Sequence, residues 1–440
     1  MIKNFCFLKG VGSKNVAILT ISSMLLFFSG SIFAVGELRV EKAEKVGMSG
    51  ERLARVSEMA ARHVDKGHYT GVVTMVARRG KVVHLDAVGN MGLVDQRPIQ
   101  TDTLFRIYSM TKPITAIAAM MLYEEGKFGL DDPVHEYLPE FKDQKVMVDG
   151  KTVPADSAMT MRQLFTHTAG LTYGFTPDNP IDIAYNEQNI LNTKDSNEFL
   201  EKVSALPLRF QPGTRYHYSV SVDVLGAAIE RISGVSLEEF FRVRLFEPLG
   251  MKDTFFNVPA DKLDRFAGDH FYDVKNAKVF PVPTDKQRNF KDNGMFSGGG
   301  GLVSTASDYM RFCQMVLNGG AYNGNRLLSP KIVEYLSLNH LTPEVRAEGQ
   351  DDYPDLALSK GQSMGLGFGV VTNPALMPAS STKGEISWGG AAGTKFWIDP
   401  QEELIAIALV QLYQAPWPLR SDMKAATHQA ILELNSRAGK

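Results

Sequence analysis

The sequence predicts an α/β (α+β) protein in which strands from both ends of the chain share one sheet and a mainly helical segment lies between them. Two β-rich runs near the start, residues 72–76 and 82–85, surround a Gly-containing turn and indicate a hairpin. Two more runs, 395–398 and 404–410, precede a helical pattern over about 421–435. Because the middle of the chain carries helical patches and polar loops, we expect it to leave the sheet, build a helical lobe and return.

Composition limits the classes of function. The chain has 440 residues, which at about 150 residues per domain allows two to three structural units. Hydrophobic residues make up 44% and charged residues 22%, as in ordinary globular proteins. The 47 Lys and Arg against 49 Asp and Glu give a net charge of −2. This balance excludes the basic surface typical of nucleic-acid-binding proteins.

Residues 1–34 have the pattern of an export signal. Lys3, Lys9 and Lys14 precede an apolar run over residues 16–34, and the first acidic residue is Glu37. We expect cleavage after Ala34 and a periplasmic or secreted protein with no stable membrane partner; an uncleaved membrane anchor is the alternative. The mature chain then keeps Cys313 as its only cysteine, which excludes an internal disulfide.

A serine and a lysine lie one helical turn apart at Ser109 and Lys112. Apolar residues follow Ile114 at helical spacing and predict the buried stripe of an amphipathic helix. Since Pro113 is tolerated only in a first turn, the helix should begin close to Ser109. The two side chains can then touch, and the free N–H groups of the helix start favour a serine alkoxide. Ser109 is therefore a candidate nucleophile, with Lys112 as proton partner or as the group that lowers the pKa of another base.

The Ser-x-x-Lys spacing alone is not specific, because it recurs twice. Ser380 and Lys383 lie in a Pro/Ser-rich stretch, and we expect Ser421 and Lys424 on the exposed face of the terminal helix. Where the Ser-x-x-Lys spacing occurs without other evidence, a serine that caps a helix and a lysine on the surface explain it. Two further segments favour Ser109.

The first of these segments contains Tyr218, which follows a Pro-Gly turn and precedes an apolar helical pattern over residues 224–232. A phenol is ordinarily protonated at neutral pH, so a tyrosine base requires a nearby cation such as Lys112. Tyr216 and His217 compete for this role, and His217 could act as a conventional base.

The second segment, residues 387–394, is rich in glycine and leads into the strand expected at 395–398. Glycine in a strand often marks the close approach of a ligand or of another backbone. A backbone N–H here could complete an oxyanion hole with that of Ser109. The alternative is a bulge at a sheet edge.

Together these segments resemble the serine β-lactamase and penicillin-binding-protein superfamily, most closely the class C-like branch that contains the family VIII carboxylesterases. The resemblance covers residues from about 45 to 435. Leu-Phe-Thr-His-Thr-Ala-Gly-Leu at 164–171 and Gly-Gly-Gly-Gly-Leu-Val-Ser-Thr at 298–305 support it. It implies a β-lactamase/transpeptidase-like fold, with an antiparallel sheet flanked by terminal helices and a mostly helical lobe.

The implied domain organisation is a single catalytic unit over residues 35–440. It would consist of an α/β lobe, about 45–105 and 365–440, and an inserted mainly helical lobe, about 106–364. The active site would lie between the lobes.

The resemblance also implies roles for individual residues. Ser109 would be the acylated nucleophile and Lys112 its proton partner. Tyr218 would act as base toward the nucleophile and as acid toward the leaving group. The N–H groups of Ser109 and Ala391 would form the oxyanion hole. No cofactor or metal is implied, and the sequence contains no His-x-x-x-His pair.

Two departures from the family pattern bear on the substrate. Trp388, Gly389 and Gly390 stand where lactam-hydrolysing members have Lys-Thr-Gly or His-Thr-Gly, so this strand has no cation to anchor a substrate carboxylate. The tyrosine motif ends in Val220 rather than in Asn. Since Trp-Gly-Gly resembles the esterase branch, we expect a carboxylesterase for small or short-chain esters, with residues 388–390 binding the substrate.

Two other hypotheses remain open. The first is a class C-like β-lactamase or a D-alanyl carboxypeptidase/D-aminopeptidase. The second is a sensor or scaffold that only binds ligands in the same cleft. The expected partner is a small-molecule ester, with no nucleic acid, and nothing in the sequence indicates the oligomeric state.

Overall fold

The computed structural model describes residues 38–283, 290–348 and 358–435, without the side chains of 346–348. The expected export signal at 1–34 lies outside the described residues, so its cleavage stays a prediction. In the described ranges, no helix combines the length and the apolar character needed to cross a bilayer.

The described chain contains both strands and helices. The strands are β1 (Gly71–Arg78), β2 (Lys81–Gly89), β3 (Phe105–Arg106), β4 (Lys145–Val148), β5 (Lys151–Pro154), β6 (His270–Asp273), β7 (Lys278–Pro281), β8 (Val303–Ser304), β9 (Ala321–Tyr322), β10 (Asn325–Arg326), β11 (Gln362–Met364), β12 (Gly369–Val371), β13 (Ile386–Gly389), β14 (Lys395–Asp399) and β15 (Leu404–Leu409). The α-helices are α1 (Gly50–Leu53), α2 (Arg55–Asp65), α3 (Thr111–Glu124), α4 (Met161–Thr166), α5 (Pro180–Glu187), α6 (Ser196–Ser204), α7 (Ser221–Ser233), α8 (Leu237–Phe241), α9 (Glu247–Leu249), α10 (Ala306–Leu317), α11 (Pro330–Leu336), α12 (Pro343–Glu348) and α13 (Leu419–His428). Short 3-10 helices at Ala43–Val46, Tyr108–Met110, Val134–Glu136, Pro139–Phe141, Ala260–Arg265 and Pro374–Leu376, and a π-helix at Arg242–Phe246, complete the set.

The central sheet joins strands from both ends of the chain, as the sequence predicts. Seven strands are ordered β11-β12-β13-β14-β15-β1-β2, and each neighbouring pair is antiparallel. The pairing of β15 with β1 places Leu409 opposite Val73. Buried side chains cover both faces of β1, because alternate residues of a strand point to opposite faces.

Helices cover both faces of this sheet. The face that carries Val72, Val76 and Trp397 packs in one apolar cluster with residues of the terminal helices α2 and α13. The opposite face, which carries Val73 and Met75, packs in a larger cluster that includes α10 and α3. The antiparallel sheet flanked by terminal helices is therefore confirmed. The division into lobes at residues 106–364 stays a prediction.

Helix α3 follows Ser109 directly, as the position of Pro113 predicts. The expectation of a one-sided amphipathic helix is wrong, because every residue from Thr111 to Leu122 is buried. Helix α7 packs against α3, and the polar Thr115 is accommodated because its hydroxyl donates to the Gly298 carbonyl at 2.7 Å. This central position makes α3 a rigid support for Ser109.

The predicted terminal helix over about 421–435 is only partly correct. Helix α13 begins at Leu419 and ends at His428, after which Ile431 forms a bridge with Met48. Lys424 is not on an exposed face, since its side chain is 2% exposed and pairs with Glu385 at 2.6 Å. The helical spacing of the sequence does not predict that Lys424 and Glu385 form a buried charged pair.

Candidate active site

Ser109 lies in the 3-10 turn Tyr108–Met110, immediately ahead of α3. Tyr108 adopts a φ of 42°, a left-handed backbone conformation that is uncommon for a residue other than glycine. Its buried hydroxyl donates to Asp269 Oδ2 at 2.9 Å. This tertiary contact holds the turn that presents Ser109.

The structure places the hydroxyl of Ser109, the ammonium of Lys112 and the phenol of Tyr218 together. The Tyr218 hydroxyl donates to Ser109 Oγ at 2.7 Å, and Lys112 Nζ donates to the same oxygen at 3.3 Å. Lys112 Nζ also lies 4.7 Å from the centroid of the Tyr218 ring, within cation–π range. Lys112 is 1% and Tyr218 5% exposed, whereas Ser109 is half-buried and offers the accessible oxygen.

Lys112 has two further acceptors besides Ser109. Its Nζ donates to the Tyr173 hydroxyl at 3.0 Å and to the Gly299 carbonyl at 2.6 Å. A lysine ammonium has three N–H donors, so these three contacts use all of them. The arrangement suits the charged form of Lys112.

Tyr173 and Asp223 extend this network and were missed by the sequence analysis. The Tyr173 hydroxyl donates to Asp223 Oδ2 at 3.1 Å, while the other carboxylate oxygen accepts bonds from the Ser297 hydroxyl and from the Gly299 N–H at 3.0 Å. Asp223 is 3% exposed. The sequence signal that could have identified Asp223 was the presence of an acidic residue within the apolar pattern of α7.

The glycines at 298–301 allow close packing beside this network. A Cβ atom on Gly298 would lie 2.7 Å from the Val222 carbonyl oxygen, and one on Gly299 would lie within van der Waals overlap of the Asp223 carboxylate. The Gly299 carbonyl can therefore reach Lys112. The repeated glycines thus place the Gly299 carbonyl oxygen where it accepts a hydrogen bond from Lys112.

His217, the alternative base, is directed toward another loop. Its Nε2 lies 3.2 Å from Thr172 Oγ1, and its ring packs edge-on against Phe210 at 5.1 Å. Its backbone N–H donates to the His167 carbonyl at 2.8 Å. Tyr218 is the residue of this loop that contacts Ser109 Oγ.

His167 contacts the loop that carries Tyr218 through a hydrogen bond and a ring contact. Its Nδ1 accepts the Ser219 N–H at 3.3 Å, and its ring lies 4.7 Å from that of Tyr218. Burial, reinforced by the charge of Lys112, holds the pKa of His167 well below its ordinary value. The imidazole is therefore a neutral structural group, in agreement with its hydrogen bonding.

The glycine-rich segment 387–394 was expected only to lead into the strand at 395–398. In the structure it contains the end of a strand and the turn that follows it. Trp388 and Gly389 belong to β13, whereas Gly390 and Ala391 lie in the turn before β14. A Cβ atom on Gly390 would lie 2.4 Å from the carbonyl oxygen of Ile107. This turn therefore passes directly beside the segment that leads into Ser109.

The outer edge of β13 is open next to this turn. In the described ranges, β12 pairs with Ile386 and Ser387 only, while Trp388 and Gly389 continue beyond it. The indole of Trp388 lies 6.0 Å from the Tyr218 ring. Unpaired backbone groups of an edge strand can bind an extended ligand.

An apolar wall borders the same region. Its members are side chains from four separate segments, brought together around Tyr218 and Trp388: Tyr173, Tyr216, Leu341, Val345, Leu358 and Met364. In the part of the chain that the structure describes, no group of three or more His, Cys, Asp and Glu side chains is arranged to hold a metal ion.

Residues 56–430 match the model of the beta-lactamase family. The chain belongs to this family. It is thus a serine hydrolase with a β-lactamase/transpeptidase-like fold, as the sequence resemblance implied.

Similar proteins include esterases. An uncharacterized protein of Mycobacterium tuberculosis is 37% identical over 358 residues, covering 79% of this chain and 87% of that protein. Esterase EstB of Burkholderia gladioli is 29% identical over 372 residues, covering 79% and 86%. The structure of EstCE1, described as a hydrolase with promiscuous acyltransferase activity, superposes with a TM-score of 0.73 at 25% identity and covers 86% of this chain and 99% of that one. This member of the beta-lactamase family is therefore similar to an esterase in sequence and to a hydrolase in structure.

Proposed function

We propose that this protein is a carboxylesterase that cleaves small or short-chain esters through an acyl-enzyme on Ser109. The observation that carries the proposal is the 2.7 Å contact between the Tyr218 hydroxyl and Ser109 Oγ beside the Lys112 ammonium. A serine needs an adjacent base to become a strong nucleophile, and this pair supplies one.

Tyr218 is proposed as the base and Lys112 as the cation that stabilises its phenolate. The three acceptors around Lys112 Nζ favour the ammonium form, which has no lone pair to accept a proton. Its position 4.7 Å from the ring favours negative charge on Tyr218. In acylation, Tyr218 removes the Ser109 proton while Oγ attacks the ester carbonyl.

The negative charge of the tetrahedral intermediate requires hydrogen-bond donors. We assign these to the N–H groups of Ser109 and Ala391, because the close approach of Gly390 to Ile107 brings the two segments side by side. Tyr218 then donates its proton to the leaving alcohol. Deacylation reverses the roles, with Tyr218 deprotonating a water molecule that attacks the acyl carbonyl and Ser109 regaining the proton.

The ester is proposed to lie along Trp388, Gly389 and Gly390. The apolar wall around Trp388 and Tyr218 favours an apolar acyl or alcohol group, since its burial there removes hydrocarbon from water. The similarity to Esterase EstB supports this substrate class. A two-lobed unit exported after removal of residues 1–34 is part of the same proposal, and N-terminal sequencing of secreted protein would test the export.

Burst kinetics with a p-nitrophenyl ester test the nucleophile. We expect one equivalent of p-nitrophenol per enzyme in the first turnover, and no burst in Ser109→Ala. Ser421→Ala is a matched control, because Ser421 precedes Lys424 at the same spacing as Ser109 precedes Lys112. Full turnover by Ser109→Ala would contradict the proposal.

Labelling with a fluorophosphonate, followed by peptide mass spectrometry, should locate the adduct on Ser109. A panel of esters, cephalosporins and D-Ala-D-Ala peptides then separates the candidate activities. Faster turnover of a lactam or a peptide than of every ester would replace the esterase assignment. The absence of any adduct would favour a protein that only binds ligands.

A further inference from the structure

Tyr108 connects the two segments that carry the assigned oxyanion donors. It directly precedes Ser109 in the chain. Its ring belongs to the same apolar cluster as Ala392, the residue that follows Ala391. The carbonyl of Ala392 accepts the Leu412 N–H at 2.9 Å, which ties this turn to the segment that follows β15. The side chain of Tyr108 therefore helps to set the position of one N–H donor relative to the other.

The backbone of Tyr108 is strained. Its φ of 42° lies in the left-handed region, which is unfavourable for a residue with a Cβ atom. Such a conformation persists only where contacts of the surrounding structure hold it. Because a change in this angle would reorient the peptide group that carries the Ser109 N–H, the contacts of the Tyr108 side chain control the direction of that donor.

Asp269 is the polar anchor of Tyr108. Its Oδ2 accepts the Tyr108 hydroxyl at 2.9 Å, and the same oxygen lies 3.7 Å from Arg106 Nε. Asp269 and Arg106 are both buried, so little water competes for these contacts. The guanidinium of Arg106 is itself fixed, because its Nη1 donates to the Ala267 carbonyl at 2.7 Å. The carboxylate thus offers Tyr108 an acceptor that is held in place.

The Tyr108 phenol remains a donor in this contact. Burial, together with the neighbouring Tyr413 and Asp269, raises the pKa of Tyr108 well above its ordinary value. The phenol therefore keeps its proton at neutral pH and can donate it to the carboxylate of Asp269. Its task is structural, whereas Tyr218 supplies the proposed base.

We propose that Asp269, acting through the Tyr108 hydroxyl, is a positioning residue that aligns the N–H of Ser109 with that of Ala391. This inference rests on the proposed esterase function. The effect of Asp269 reaches the reaction only through the backbone of Tyr108. Its loss should therefore weaken stabilisation of the transition state and leave substrate binding nearly unchanged.

A matched ester and thionoester test the alignment. A p-nitrophenyl ester is compared with the corresponding thionoester, in which sulfur replaces the carbonyl oxygen, by the ratio of their kcat/KM values. Sulfur is the weaker hydrogen-bond acceptor, so well-placed N–H donors favour the ester. In Tyr108→Phe we expect this ratio and the kcat of the ester each to fall about tenfold, with KM within about twofold of the wild type, because the oxyanion donors are misplaced.

Variants at position 269 test whether Asp269 acts through Tyr108. Asp269→Leu should lower the ratio as much as Tyr108→Phe does, and the double variant should lower it no further, because both changes remove the same contact. Asp269→Asn should keep the ratio near the wild-type value, since an amide oxygen can still accept the Tyr108 proton.

Asp308→Leu is a matched control for the loss of a buried carboxylate. Asp308 is buried, accepts the Thr254 hydroxyl at 3.0 Å and pairs with Arg311 at 3.0 Å. Its replacement should lower the free energy of unfolding, as Asp269→Leu does, without changing the ratio of ester to thionoester. Denaturant titrations of each variant measure the loss of stability separately.

A wild-type ratio in Tyr108→Phe would overturn the alignment while leaving the esterase intact. This variant keeps the contact between Asp269 and Arg106, so it decides the question even where Asp269→Leu does not fold. An equal fall of the ratio in Asp308→Leu, or additive losses in the double variant, would also overturn it. Failure of the esterase proposal is visible separately, as full turnover in Ser109→Ala.

Discussion

The Tyr173 hydroxyl accepts a hydrogen bond from Lys112 Nζ at 3.0 Å. The same hydroxyl donates to the buried carboxylate of Asp223 at 3.1 Å. A phenol therefore links the buried ammonium to a buried carboxylate, and the carboxylate offsets the charge of Lys112 without touching it. The link fixes Lys112 where it can act on both Ser109 and Tyr218.

Tyr173→Phe should lower kcat by about 10- to 100-fold with little change in KM, because Lys112 loses one acceptor and its position beside Ser109 is less constrained. The pH–rate profile should also shift, since the variant changes the environment of Lys112. Steady-state kinetics between pH 5 and 10 measure both effects. An unchanged pH–rate profile, with kcat as in the wild type, would show that Tyr173 does not position Lys112.

Tyr218→Phe should lower kcat by about 10²- to 10⁴-fold, since the general base and acid is removed. Tyr322→Phe, which alters a tyrosine on the short strand β9, controls for loss of a phenol elsewhere. His217→Gln should retain most activity. If His217→Gln lost activity while Tyr218→Phe kept it, the base would have to be reassigned.

Gly390→Ala should strongly reduce acylation, because the new Cβ would lie 2.4 Å from the Ile107 carbonyl oxygen and push the Ala391 N–H out of place. Single-turnover kinetics with a p-nitrophenyl ester measure this step directly. In Gly50→Ala the added Cβ would meet only the end of the Glu44 side chain, so this control should behave as the wild type. Normal acylation in a folded Gly390→Ala protein would argue against an oxyanion donor at Ala391.

His428 should make the stability of the protein depend on pH. Burial, helped by the charge of Lys424, lowers the pKa of His428 to about 4, whereas an exposed histidine titrates near 6.5. Between these values the unfolded chain binds a proton that the folded chain does not. The free energy of unfolding should therefore fall as the pH decreases across this window, by at most about 1.4 kcal/mol per pH unit.

Denaturant titrations at a series of pH values measure this dependence. The difference between the wild type and His428→Gln isolates His428, because the other buried histidines contribute equally to both proteins. His135→Gln serves as the control. If the free energy of unfolding had the same pH dependence in the wild type and in His428→Gln, the lowered pKa of His428 would be contradicted.

Much of this protein could be inferred from local patterns. The hairpin of β1 and β2 and the strands β14 and β15 follow from β-rich runs bounded by turns. The start of α3 follows from Pro113, which fixes where a helix can begin. These features depend on residues close together in the chain. In the middle of the chain, where polar loops were expected, Asn179 and Asp195 resemble loop residues but are the N-caps of α5 and α6.

The sequence by itself determined the fold class, the family resemblance and the three side chains expected to meet. Only the tertiary structure placed Tyr173 and Asp223 behind Lys112 and set Asp269 against Tyr108. The reason is physical: backbone conformation responds to nearby residues, so spacing reveals it. Partners of a buried charge are chosen by packing between distant segments, and no local pattern encodes that choice.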